Sequence, residues 1–192
     1  MNVHLAAPSV PDCELSRSAD SHAFEALWRS LPKEGPVPDR GALHPRKAAR
    51  FLPNLVLVEV PPPGSRSLKI RLAGTGIEAK IERSITGHDY LEFLPERFHE
   101  AALQSARMMI AQPCGLWQLT TVHYQRGTSQ LLEITAFPLC AGSDCAPYIL
   151  GLSRGTAKYY ASEENPDAAI CAETALKFEF LDIGNGVPAW NG

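Results

Sequence analysis

Apolar residues near the N-terminus recur at spacings of three and four, the period of one face of an α-helix. The four positions are Phe24, Leu27, Trp28 and Leu31. Pro32 ends the pattern, and Asp20 or Ser21 can cap its start. The sequence therefore predicts an amphipathic helix between Asp20 and Leu31, with an apolar face that must pack against another element.

Two strand patterns follow this helix. Residues 54–60 form a β-branched apolar run that is closed by the turn-forming residues 61–64. In residues 67–73, apolar positions alternate with Lys69 and Arg71, which is the two-residue period of a half-buried antiparallel strand. The alternating apolar positions are Leu68, Ile70 and Leu72.

The remaining pattern predicts short helical turns, a longer helix and three more strands. The turns occupy 75–94, and the longer helix runs over 96–112 between Pro95 and Pro113. The strands lie near 115–126, 129–139 and 147–153, with Gly-containing turn signals between them. The element order is helix, two strands, short helices, one longer helix and three strands.

The predicted sheet is apolar on both faces. In the first strand, Val56, Val58 and Val60 share one face, while Leu55 and Leu57 share the other. A contiguous apolar face of this size is rarely left in water. We expect the connecting helices to cover the inner face, and the Phe24/Trp28 helix, a partner subunit, or both, to cover the outer face.

These patterns divide the chain into three parts. Residues 1–19 are rich in proline and small polar residues and are expected to be flexible, and residues 20–154 form the domain. Residues 155–192 form an extension with a helix predicted near 166–181, capped by Asn165. Its apolar content predicts that the extension docks on its own domain or on a neighbour.

Composition excludes several classes of protein. With 45% hydrophobic and 20% charged residues, the chain is of the globular type. A net charge of −3 without a basic stripe argues against nucleic acid as a partner, and we interpret the Arg46, Lys47 and Arg50 cluster as a solvated helix face. No apolar run approaches membrane-spanning length. The absence of a secretion signal and the odd number of cysteines, five, predict a cytoplasmic protein.

Several short motifs occur together and in a fixed order. They are Trp28 in a Phe-x-x-Leu-Trp helix, Val37-Pro38-x-Arg40, Leu43-x-Pro45, Leu52-Pro53-Asn54, Glu59-Val60, Arg71-Leu72-x-Gly74-Thr75 and Thr86-Gly87. Together with the element order, they resemble a bacterial family of stand-alone PAS proteins that was formerly of unknown function. The resemblance covers residues 23–153 and leaves the C-terminal extension uncovered.

The resemblance implies both a fold and a class of function. The fold is α+β, with a five-stranded antiparallel sheet, helices on one face and the N-terminal amphipathic helix on the other. The implied role is sensory or regulatory and non-catalytic, through binding of a small organic ligand, another protein, or both. A homodimer and a downstream signalling protein are the expected partners.

The family supplies no catalytic residues, and its recurring positions are interpreted as structural. They are Arg71, Gly74, Thr75 and Gly87, together with Trp28. Gly74 and Gly87 permit backbone angles that other residues avoid, and Thr75 and Thr86 can cap the turns that follow them.

Candidate ligand-binding residues come from two regions. His88 and His99 lie in the helical stretch where some PAS proteins place a haem ligand, although His99 beside Glu100 is read as solvent-facing. Trp117, His123 and Tyr124 are candidates for a polar-aromatic cavity. Trp117 and His123 share strand parity while Tyr124 points oppositely, and core filling is the simpler role for Trp117.

No cofactor is required by the sequence. Haem is not expected. Flavin photochemistry is not expected either, because in this fold it needs a cysteine in an Asn-Cys-Arg-Phe-Leu-type motif, and the sequence contains none. Cys140 and Cys145 flank a turn without further metal ligands, so no metal site is predicted and they are taken as ordinary cysteines rather than a redox pair.

Enzyme signatures are absent as well. Gly74-Thr75-Gly76 lacks the lysine and helix of a phosphate-binding loop, and Glu133 is interpreted as a solvent-side strand residue. The leading hypothesis is therefore a ligand-sensing module. The second is a protein-interaction adaptor with a collapsed cavity, and the third is a small α+β enzyme such as an isomerase or hydrolase.

Overall fold

The computed structural model describes residues 16–124, 128–142, 146–161, 170–172 and 175–189. The α-helices are α1 (Ala19–Arg29), α2 (Pro45–Ala48), α3 (Thr75–Ile81) and α4 (His99–Ala111), with 3-10 turns at Arg40–Ala42, Leu52–Asn54, Tyr90–Phe93 and Glu96–Phe98. The strands are β1 (Leu55–Glu59), β2 (Lys69–Ala73), β3 (Gly115–Tyr124), β4 (Thr128–Ala141), β5 (Ala146–Ala161), β6 (Ile170–Ala172) and β7 (Lys177–Leu181).

The strands form one sheet in which each pair is antiparallel. Its order is β2-β1-β5-β4-β3, and both β6 and β7 hydrogen-bond to the far edge of β3. The five-stranded antiparallel layer predicted from the sequence is therefore present. Two short strands from the C-terminal extension widen it.

The helix predicted over 166–181 is wrong for the residues that the structure describes, since 170–172 and 177–181 are strands. In β7, Phe178 and Phe180 alternate with Lys177 and Glu179, which is the period of a strand. The open edge of β3 offers unpaired backbone groups to these segments, and that long-range pairing outweighs the helical pattern.

The inner face of the sheet is covered by α3, α4 and the Tyr90–Phe93 turn. The sheet contributes Val56, Val58, Val60 and Ile70 to the apolar cluster on this face. The three valines are the residues that the sequence predicted to share one face of the first strand. The residues from the covering layer are Ile81, Ile85, Leu91, Phe93, Leu103 and Ala106.

The outer face of the sheet is covered by α1. Phe24 and Trp28 are 0% and 1% exposed, and their rings lie 5.8 and 5.2 Å from that of Phe137 on β4. Leu31 is buried with them, and Leu27 is partly buried at the margin. The predicted amphipathic helix and its packing face are confirmed, and the chain itself supplies the cover for this face.

Leu72 departs from the strand pattern predicted for β2. It is 42% exposed, although Leu68 and Ile70 are buried as expected. The pairing register shifts between Leu57 and Val58, so that Leu72 lies opposite Leu57 on the outer face. A β-bulge of this kind moves the following side chain to the opposite face of the sheet.

Candidate functional site

The described side chains between the inner face and its helices form an apolar cluster. A cavity of about 30 Å³ lies beneath α3. Its lining residues are Ile77, Lys80, Ile81, Tyr124, Leu132 and Ser153. This volume holds about one or two water molecules. In the described part of the chain, the cavity is thus a mainly apolar recess whose lining residues include one lysine, one tyrosine and one serine.

The structure does not bring the predicted ligand-binding residues together. Trp117 and His123 project from the outer face of β3, whereas Tyr124 projects from the inner face and lines the cavity beneath α3. The difference in strand parity foreseen from the sequence therefore separates Tyr124 from the other two residues. His123 Nδ1 lies 2.6 Å from the hydroxyl of Ser129.

The two histidines of the helical layer are engaged outside the cavity. His88 is exposed, and its Nδ1 lies 3.0 Å from a carboxylate oxygen of Glu92. His99 is half-buried rather than solvent-facing, and its Nε2 donates to the carbonyl of Leu94 at 2.9 Å. Each histidine therefore has a local structural partner.

A buried polar seam joins α1 to the outer face of the sheet. Its centre is Glu133 on β4, which is 8% exposed and accepts hydrogen bonds from the indole of Trp117 at 2.8 Å and from the backbone N–H of Ser18 at 2.9 Å. The Ser18 hydroxyl donates to the second carboxylate oxygen. Ser18 also caps α1 by accepting from the N–H of Ser21. Glu133 is thus not a solvent-side residue, as its place in a strand pattern suggested.

Two further bonds continue this seam along α1. The hydroxyls of Ser21 and Thr135 are 2.6 Å apart, and the indole N–H of Trp28 donates to the carbonyl of Pro138 at 2.8 Å. The carboxylate of Glu133 also lies at the positive N-terminal end of α1, where a negative charge is favourable. The polar seam therefore fixes the position of α1 on the sheet, while the apolar cluster supplies most of the buried area.

Substitution of Glu133 by glutamine is expected to lower the free energy of unfolding by about 2 kcal/mol. The amide keeps the shape of the side chain, but neutral hydrogen bonds replace the charge-assisted ones. Its NH₂ group also takes the place of one acceptor oxygen and faces the donors of Ser18 or Trp117. Urea unfolding followed by circular dichroism measures this change. The matched control is Glu179→Gln, an exposed glutamate on β7, for which a change below about 0.5 kcal/mol is expected. Equal effects of the two substitutions would contradict a structural role for the seam.

The family-like positions have structural surroundings. Arg71 forms an ion pair with Glu59 across β1 and β2, and Gly87 has a φ of 90°. Gly74 has an ordinary φ of −73° and is required for space, because a Cβ there would lie 2.2 Å from the carbonyl oxygen of Leu52. Thr75 is the first residue of α3.

The capping expected of the two threonines is not observed. Gly74 is the N-cap residue of α3, and no side-chain hydrogen bond caps that helix. The Thr86 hydroxyl instead accepts from the backbone N–H of Ala73 and so ties the loop to β2. The backbone of the loop also pairs with the outer edge of β2, which leaves the threonine oxygen to bond that strand.

Two cysteines of the described core, Cys114 and Cys140, are buried. Cys114 is fully buried, and burial, followed by the charge of Asp182, raises its pKa to about 11. A thiol with such a pKa stays protonated and unreactive at neutral pH. Cys140 is buried in β4, and Cys145 lies outside the described residues.

Two further findings concern the described residues as a whole. They contain no group of three or more His, Cys, Asp or Glu side chains positioned to hold a metal ion. Among them, no helix combines the length and the apolar character that crossing a bilayer requires.

The sequence matches the PAS_5 family of PAS domains over residues 16–154. This match spans most of the chain, and the chain therefore belongs to the PAS domain family. Membership of this family suggests a sensory or regulatory role, since PAS domains are generally sensory rather than catalytic.

Three of the solved structures similar to this one are described as light-oxygen-voltage domains or receptors. One comes from work on a flavin analogue and the mechanism of such a domain (12% identity, 59% of this chain, 84% of the other, TM-score 0.44). A second is a fungal photoreceptor domain (21% identity, 70% of this chain, 91% of the other, TM-score 0.43). A third is an RNA-binding light-oxygen-voltage receptor (17% identity, 65% of this chain, 35% of the other, TM-score 0.42). No curated protein matches the sequence significantly.

Proposed function

We propose that this protein is a PAS-type regulator that acts by contact with another protein and does not require a ligand between its sheet and helices. The observation that supports the proposal is the apolar cluster between the inner face and its helices, with a small cavity beneath α3. Side chains from β1, β2 and the covering helices pack into one apolar cluster, and the cavity beneath α3 has a volume of about 30 Å³. Ligand pockets in proteins typically measure several hundred Å³ (about 300 or more).

The same argument applies to flavin, which features in the work on one of the similar structures. The cavity beneath α3 accepts about one or two water molecules and is smaller than a flavin ring system, which supports a role without flavin at that position. The sequence also lacks the cysteine motif that flavin photochemistry in this fold requires. We therefore derive no step through a flavin.

Binding of a small molecule is a second candidate, and the cavity beneath α3 favours it. Lys80, whose pKa is lowered by burial, lines this cavity together with Tyr124 and Ser153. A small carboxylic acid would suit a mainly apolar recess with a lysine among its lining residues. Widening of the cavity would have to accompany binding even of such a small acid.

Native mass spectrometry of the untreated purified chain distinguishes the two candidates. The proposal predicts the mass of the polypeptide alone and no absorbance above about 300 nm. A stoichiometric adduct, or the visible absorbance of a flavin, would overturn the first candidate and favour ligand sensing. The same spectra report whether the homodimer expected from the sequence forms.

Contact with another protein is tested separately by site-specific photo-crosslinking in the cells that make the protein. A photoreactive residue is placed at Lys47 on α2, and a control is placed at Arg97, which is also exposed but precedes α4 on the opposite layer. The expected result is one recurrent adduct from the first position. Adducts of equal number and kind from both positions would count against a specific protein contact.

A further inference from the structure

A basic surface lies beside the outer face of the sheet. Residues 40–50 contain four basic side chains and no acidic one, within a chain of net charge −3. Helix α2 buries Ala48 in the apolar cluster of the outer face and leaves Arg46 and Lys47 exposed. Within the described residues, no hydrogen bond or ion pair engages these two side chains.

Arg50 extends this surface with a guanidinium group that is already oriented. Its guanidinium carbon lies 4.4 Å from the ring centroid of Phe51, and its Nη2 is 3.7 Å from Asp20, whose carboxylate also pairs with Arg154. A stacked guanidinium loses little further freedom when it binds a carboxylate, and its N–H edge remains available. Asp20 is therefore shared between Arg50 and Arg154 and does not neutralise the positive charge of this surface.

Two exposed apolar side chains lie on segments that follow α2 in the chain. Leu52, which follows Arg50 closely in the chain, is 37% exposed, and Leu72 is 42% exposed. The two leucines belong to adjoining segments, because the carbonyl oxygen of Leu52 lies against Gly74, two residues after Leu72. Helix α1 covers the outer face over β4, and Leu72 lies on the outer face of β2, opposite Leu57 of β1.

We propose that these five residues form a docking site for an acidic, amphipathic segment of a partner protein. This site is called the α2 surface and consists of Arg46, Lys47, Arg50, Leu52 and Leu72. Carboxylates of the partner would meet the three cations, and its apolar residues would cover the two leucines. The mixture of charge and apolar area favours a peptide over a nucleic acid, since the phosphate backbone of a nucleic acid meets the cations but gains nothing from the two leucines.

This inference rests on the proposed function, to which it adds the chemistry of the partner.

The test measures binding between the full chain and a fluorescein-labelled helical peptide of about 16 residues, with glutamate on one face and leucine on the other. Fluorescence anisotropy is expected to give saturable binding that weakens as salt rises from about 0.05 to 0.3 M. The double variant Arg46→Glu/Lys47→Glu should bind at least about tenfold more weakly, because two attractions become repulsions.

Three controls make the result specific. Arg97→Glu reverses another exposed arginine, which also stacks on a ring, and should change affinity by less than about twofold. Leu72→Ser, at an exposed position, should weaken binding by about threefold because it removes apolar contact. A peptide of the same composition with a scrambled order should bind more weakly than the amphipathic one. Circular dichroism verifies that each variant is folded.

Several outcomes would overturn the inference. Equal binding by wild type and the double variant would remove the α2 surface as the site, and equal binding of the scrambled peptide would remove the amphipathic requirement. Tighter binding to single-stranded RNA or to anionic phospholipid vesicles would assign the surface to another partner. Loss of self-association in the double variant would assign it to a second copy. A ligand found by mass spectrometry would contradict the proposal that the protein acts without a ligand. It would not change the measured affinity of the peptide for the α2 surface.

Discussion

Replacement of Trp28 by alanine is expected to lower the free energy of unfolding by about 4 kcal/mol. The side chain is 1% exposed, its ring stacks on Phe137, and its indole N–H donates to the carbonyl of Pro138. The substitution leaves a large cavity between α1 and the sheet and an unsatisfied buried carbonyl, and losses from aromatic-to-alanine changes in cores are about 3–5 kcal/mol. Chemical unfolding with a circular dichroism readout measures the change.

Trp28→Phe separates the two contributions. Phenylalanine keeps most of the ring packing and removes the hydrogen bond to Pro138, so a loss of about 1–2 kcal/mol is expected. Hydrogen exchange should then show faster exchange in α1 for the alanine variant than for the phenylalanine variant. If the alanine variant loses less than about 1 kcal/mol, α1 does not dock on the outer face as described.

The second large effect is expected for Gly74→Ala, with a loss of about 3 kcal/mol. The added Cβ would lie 2.2 Å from the carbonyl oxygen of Leu52 and 2.5 Å from the carbonyl carbon of Pro53. Both are backbone atoms, so relief requires that β2 and the Leu52–Asn54 turn separate, and overpacking of this kind costs about 1–3 kcal/mol or more. The φ of −73° suits alanine, so the loss arises from crowding alone.

Gly35→Ala is the matched control for this crowding. An added Cβ at Gly35 meets no atom within 4 Å, and its φ is not in the left-handed region. The expected change is below about 0.5 kcal/mol, or a slight gain, because alanine restricts the unfolded chain. Thermal and chemical unfolding of the two variants side by side should therefore differ clearly. A neutral Gly74→Ala variant would show that the turn and β2 are not in close contact.

The sequence predicted those elements of the fold that depend on local periodicity. The apolar stripe of α1 and the two apolar faces of β1 are strong patterns, because each follows one period over several residues. The motifs around Arg71 and Gly74 added the family, and with it the strand order. Element type and topology of the domain before the C-terminal extension could therefore be predicted from the sequence.

Features that depend on contacts between residues far apart in the chain could not be predicted from the sequence. Glu133 occupies an alternating strand position that reads as solvent-facing, but its partner Ser18 is 115 residues away in the chain. The exposure of Leu72 depends on a bulge, and the strands β6 and β7 depend on the free edge of β3. Strand parity already separated Tyr124 from Trp117 and His123 in the sequence, but only the register of β3 showed that Tyr124 is the one that faces the helices. A two-residue period in Lys177–Leu181 was the signal that could have identified β7.

Ile183, beyond β7, is 8% exposed and belongs to the same cluster as Phe24 and Trp28. The guanidinium of Arg29 also donates to the backbone carbonyl of Asp182 at 2.9 Å. Both extremities of the described chain consequently meet on a single patch of the molecule. Expression of only the segment that matches the family, which stops at residue 154, would delete part of this hydrophobic packing along with half of β5.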